Sequence, residues 1–205
     1  MQKIVLASEF YYCQEPIVNA IGGVKGKHVL MIPTAALGQG KKIDPQKDTE
    51  PFTFSNRGAN LTVFDLAGKT RDDLTKEVLK ADIIYVRGGN TFYLLEHMRN
   101  IAFKEVLEEH FKDGVYIGSS AGTCVLSPDI GYITPVDNPE NATIADYTGL
   151  GLVDFNIIPH ANNEKYQDFI GNSYKQPTPP QTFVLTDNQA LLLENNHIRL
   201  LQETT

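Results

Sequence analysis

The chain has 205 residues, 41% hydrophobic and 21% charged, enough to bury the core of one domain without disulfide or metal staples. Its net charge of -7, with no basic stripe, argues against a nucleic-acid partner. No apolar run approaches the ~18 residues of a membrane span, and the two cysteines, Cys13 and Cys124, form neither a disulfide framework nor a zinc-ligand spacing, so a cytoplasmic setting is expected.

Short apolar runs alternate with amphipathic stretches along the first two thirds of the chain. Strands are expected at Ile4–Ala7, Val29–Ile32, Leu61–Leu66, Ile83–Val86 and Val115–Ile117. Helices are expected over Thr70–Ala81, opened by a Thr70/Asp73 capping box, and over Thr91–Met98 and Phe103–Phe111. Such alternation predicts βαβ units, a mostly parallel sheet and helices on both faces, an α/β doubly wound fold in a single domain over residues 1–205. Residues 128–150, rich in Pro, Asp, Asn and Thr, read as a long functional loop. Phe155–Ile158 returns as a strand, residues 172–181 with three prolines read as a surface loop, and three short strands follow at Phe183–Leu185, Ala190–Glu194 and Ile198–Leu201. Asn195–Asn196 suits the hairpin turn between the last two, because Asn tolerates positive φ.

The most informative segment is Val115-Tyr116-Ile117-Gly118-Ser119-Ser120-Ala121-Gly122-Thr123. An apolar strand runs directly into a small-residue turn and then a helix-like stretch to Leu126, the context a G-x-S-x-G nucleophile elbow requires. Ser120 is the candidate nucleophile, and the following amide, that of Ala121, is a candidate oxyanion donor. A tight turn packing a helix on the sheet would use the same small residues. Val86-Arg87-Gly88-Gly89-Asn90-Thr91 likewise ends a strand and opens a helix, so it reaches the carboxyl edge where open parallel sheets bind ligands. Gly88 and Gly89 would let the backbone approach a substrate.

A serine nucleophile needs a base. Of the five histidines, His160 stands apart, because it follows the strand at Phe155–Ile158 and Pro159 and so falls at a strand end. Asp137, Asp146, Asp154, Glu164 and Asp187 are all candidates for the acid that orients it. Cys124, one helical turn past Ser120, competes as a nucleophile, but a position inside a helix suits a small core residue.

Together these residues resemble the peptidase E family, the S51 serine peptidases that include aspartyl dipeptidase and cyanophycinase. The resemblance rests on Ile32-Pro33-Thr34-Ala35, Gly88-Gly89-Asn90-Thr91-Phe92, Gly118-Ser119-Ser120-Ala121-Gly122 and Pro159-His160, from the first strand to about His160. It implies a three-layer, flavodoxin-like fold related to class I glutamine amidotransferases. It implies Ser120 as nucleophile, His160 as base, Asp137 as orienting acid, and oxyanion and substrate contacts from Gly88, Gly89, Asn90 and Ala121. It further implies a short peptide substrate, no metal or organic cofactor, and a homodimer. Two departures stand out. Arg87 occupies a place where relatives often carry a small residue, where it would reshape the pocket, bind a carboxylate or simply face solvent at a strand end. The segment 163–171 carries Lys165 but no arginine, which argues against a strict preference for aspartate. A non-peptidase esterase or amidase, and a metabolite-binding module on the same scaffold, are the competing functions.

Overall fold

The computed structural model describes residues 3–41, 49–173 and 181–204. In chain order the strands are β1 (Lys3–Ala7), β2 (His28–Ile32), β3 (Asn60–Val63), β4 (Ile83–Val86), β5 (Val115–Ser119), β6 (Asn156–Ile158), β7 (Thr182–Val184), β8 (Gln189–Glu194) and β9 (His197–Gln202). The helices are α1 (Gln14–Ala20), α2 (Thr34–Leu37), α3 (Thr49–Asn56), α4 (Arg71–Val78), α5 (Thr91–Asn100), α6 (Phe103–His110), α7 (Ala121–Cys124) and α8 (Gln167–Ser173). The main sheet has seven strands in the order β3-β2-β4-β5-β1-β8-β9, the first five parallel and the last two antiparallel. β6 and β7 form a separate parallel pair.

The apolar runs become strands because both faces of the sheet are covered, so no position needs to be polar. Alternate residues enter different cores. Leu6, Leu30, Ile32, Ile84, Val86 and Tyr116 pack under α4, α5, α6 and α7, together with β6. Val5, Ala7, Val29, Met31, Tyr85 and Ile117 pack on the opposite side against Ile17 and Val18 of α1 and Phe54 of α3. This is the expected three-layer α/β fold with a mostly parallel sheet.

Local signals hold where they were strongest. Thr70 and Asp73 exchange the two hydrogen bonds of a capping box at the start of α4. Asn195 and Asn196 both take positive φ, 51° and 61°, in the β8–β9 turn. Residues 128–150 contain only short 3₁₀ turns and one isolated bridge, Asp129 to Thr148. Four helices, α1 to α3 and α8, fall where no element was expected, because each is short and carries little helical signal of its own. The strand expected at Leu61–Leu66 ends at Val63. There the chain turns so that the Leu66 amide donates to the Thr34 hydroxyl at 2.9 Å. The proline-bearing loop expected at 172–181 lies largely outside the described residues. Among the described residues, no helix is long and apolar enough to cross a membrane.

Candidate active site

The parallel strands β1, β4 and β5 end at the same edge, and the residues just past their ends meet in one cavity of about 530 Å³. Glu9 follows β1, Arg87 and Gly88 follow β4, and Ser120 follows β5. Pro159 and His160, past the end of β6, close the opposite wall.

Ser120 sits at φ 49°, ψ -108°, a conformation that residues with a Cβ rarely adopt. Close packing around the turn enforces it. A Cβ on Gly118 would lie 2.4 Å from the Gly122 carbonyl oxygen, and one on Gly122 would lie 2.2 Å from the Val86 carbonyl oxygen. Both positions therefore admit only glycine, which brings α7 directly onto β4 and β5. The Ser120 amide donates to the Ala7 carbonyl at 3.1 Å, tying the turn to β1. The strained serine between two obligatory glycines is the local geometry of a nucleophile elbow.

His160 faces this serine. Its Nε2 lies 2.9 Å from Ser120 Oγ, and its Nδ1 lies 2.6 Å from Oδ1 of Asp187. A carboxylate only accepts, so Nδ1 carries the proton and Nε2 is left to accept from the serine hydroxyl. His160 is itself held at φ 61°. Its amide donates to the buried Ser8 hydroxyl at 2.7 Å, and that hydroxyl donates to the Leu185 carbonyl at 3.3 Å. One small side chain at the end of β1 thus braces both the histidine and the strand that leads to Asp187.

The carboxylate that meets His160 in the structure is not Asp137, the one expected. Asp137 makes no hydrogen bond to His160. Its Oδ2 accepts from the Thr91 amide at 2.8 Å and the Thr91 hydroxyl at 2.6 Å, so it anchors the 137–138 loop to the first turn of α5. Asp187 takes the place because β7 pairs with β6 and carries the chain past Leu185 to the turn beside His160. There the Asp187 amide donates to the Asn162 side chain at 2.8 Å.

The Gly88–Gly89 turn lies against Ser120. A Cβ on Gly88 would fall 3.0 Å from Ser120 Cβ, and one on Gly89, at φ 151°, would fall 2.2 Å from the Ala35 carbonyl oxygen. Asn90, expected to touch substrate, is buried, and both ends of its side-chain amide bond to the scaffold. Its oxygen caps α5 by accepting from the Tyr93 amide at 2.8 Å, and its nitrogen donates to the Asn138 carbonyl at 2.9 Å. Arg87 does line the cavity, and its Nε pairs with the carboxylate of Glu50, which is nearly buried on α3. Sequence reasoning gave no signal for Glu50, Ser8 or Glu9, since each is an ordinary residue until the strands bring it to the cavity.

Neither cysteine suits covalent chemistry. Cys124 is buried and its thiol points at the Ile157 carbonyl, 3.5 Å away. Burial pushes Cys13 and Cys124 each up to about 12. At pH 8 only about one molecule in 10⁴ then carries a thiolate at either position. A colorimetric disulfide reagent should therefore find no reactive thiol in the native protein and two after denaturation. Rapid native labelling of Cys124 would reopen the cysteine reading.

Comparison with known proteins identifies the family. The model of peptidase family S51 matches residues 4–201, well past His160. A peptidase of Pasteurella multocida (strain Pm70) is 31% identical over 211 residues, 98% of each chain. A Drosophila melanogaster relative that carries an alpha-aspartyl dipeptidase name is 33% identical over 137 residues, 65% of this chain and 52% of that one. The crystal structure of a Listeria monocytogenes EGD-e protein assigned to peptidase E superposes with a TM-score of 0.87 at 27% identity, covering 100% of both chains. The chain belongs to peptidase family S51, a family of serine-type peptidases.

Proposed function

We propose that this peptidase hydrolyses short peptides through an acyl-enzyme on Ser120, with His160 as general base and acid and Asp187 as the orienting carboxylate. The observation that carries this reading is the unbroken hydrogen-bond chain Ser120–His160–Asp187, whose serine and histidine line the cavity. His160 takes the Ser120 proton as Oγ attacks the scissile carbonyl, and the new C–O bond gives a tetrahedral oxyanion. The amides of Gly88 and Ala121, on either side of the serine, are the candidate donors to that oxyanion. Collapse breaks the C–N bond, His160 protonates the leaving amine, and the acyl group stays on Ser120. A water activated by His160 then releases the acid and restores the serine.

A cavity of about 530 Å³ lies in the range of small-molecule sites and suits a di- or tripeptide better than a folded chain. The name of the Drosophila relative also favours dipeptides. The test is release of free amino acids from a dipeptide panel with acidic, neutral and basic first residues, run beside aryl esters. Turnover of one or more dipeptides above the ester background is expected. Ester cleavage with no dipeptide turnover would favour a non-peptidase hydrolase.

A further inference from the structure

Glu9 lies two residues past the end of β1 and lines the same cavity as Ser120. Its Oε1 lies 3.3 Å from the hydroxyl of Ser119, the residue before the nucleophile. That hydroxyl in turn accepts from the Phe10 amide at 3.0 Å, so the carboxylate is held beside the elbow by a short buried link.

The charges lining the cavity do not cancel. Glu50 is matched by Arg87. One oxygen of Asp137 is matched by the amide and hydroxyl of Thr91. Lys41 is exposed at the rim. Among the described residues Glu9 has a neutral hydroxyl as its hydrogen-bond partner and no ion pair. The buried Tyr85 hydroxyl responds to this surplus. Burial first, then the charges of Glu50 and Glu9, hold it well above the ordinary phenol range. A phenol is never cationic, so Tyr85 offers these carboxylates no balancing charge. A half-buried carboxylate in such a place lowers its free energy by gaining a cation, and a ligand that brings one is selected over a neutral one. Arg87 is poorly placed to select an acidic substrate, because Glu50 already neutralises it.

We propose that Glu9 is a specificity-determining residue that binds an ammonium group of the substrate. Two sources share this chemistry, the peptide's own α-ammonium and the side-chain ammonium of a lysyl first residue. The inference rests on the reading that a peptide lies against Ser120, but it concerns recognition and can be read without turnover.

The experiment is calorimetric binding to the Ser120→Ala protein, with Glu9 intact and with Glu9→Gln. Four peptides are compared: Ala-Leu, N-acetyl-Ala-Leu, N-acetyl-Lys-Leu and N-acetyl-norleucyl-Leu. With Glu9 intact, a cationic peptide is expected to bind about 10- to 100-fold more tightly than its neutral counterpart, and Glu9→Gln should abolish the difference. The glutamine keeps an oxygen for Ser119, so the elbow is undisturbed. A preference within the alanyl pair assigns the α-ammonium, and one within the lysyl pair assigns the side chain. Equal affinities in both pairs with Glu9 intact would overturn the proposal even if the glutamine variant failed to fold, as would a preference that survives Glu9→Gln. Turnover that depends on Ser120 without any ammonium preference would remove this inference and leave the hydrolytic mechanism standing. An ammonium preference with no dipeptide turnover would do the reverse.

Discussion

Replacing Ser120 with alanine is expected to lower kcat for the preferred dipeptide by about 10³-fold or more while leaving KM within a few-fold. In the proposed mechanism the hydroxyl forms the acyl bond, so its loss would remove the covalent route, whereas the cavity walls persist. The fold should survive, because the turn is fixed by Gly118, Gly122 and the Ser120 amide rather than by the hydroxyl. A glycine at the same position provides a control. Ser120 is held at φ 49°, ψ -108°, and alanine keeps the Cβ that makes this costly, whereas glycine does not. Ser120→Gly should therefore be as inactive as Ser120→Ala but more stable by about 1 kcal/mol, read as a higher midpoint of thermal unfolding. Turnover near the unsubstituted level in either variant would rule out the acyl-enzyme.

Asp187→Asn is expected to cost about 10⁴-fold in kcat with little change in KM. The reason is the histidine tautomer. An asparagine nitrogen would donate to Nδ1, so the ring proton would move to Nε2, which could then no longer accept from Ser120 Oγ. Asp137→Ala should behave differently. It leaves the Thr91 amide and hydroxyl without their acceptor at the start of α5, which is expected to cost about 1–3 kcal/mol of stability. Its effect on kcat should be far smaller than that of Asp187→Asn, because Asp137 acts on the loop rather than on the imidazole. Parallel kinetics and denaturation of the two variants separate the roles. A larger kcat loss at Asp137 than at Asp187 would restore Asp137 as the orienting acid.

The contrast between these aspartates shows how far chain order carries a triad. Asp137 lies between Ser120 and His160 in sequence, the place the family resemblance implied. Asp187 was one of five acids left open by the residues themselves. Their sequence surroundings do not tell them apart, since both lie in turns beside Asn or Thr.

The sequence by itself determined the parallel sheet, the helices over Thr91–Met98 and Phe103–Phe111, the capping box at Thr70 and the elbow at Ser120. All of these are written in neighbouring residues: apolar runs that need both faces covered, side chains that bond three positions away, and glycines that let one backbone touch another. It also singled out His160, because a strand end precedes it. Tertiary structure alone decided which carboxylate orients that histidine. Asp187 lies 27 residues beyond His160 and meets it because β7 pairs with β6. Only the fold could set Glu50 against Arg87 or carry Glu9 to the cavity, since each contact joins segments that packing, not local preference, brings together.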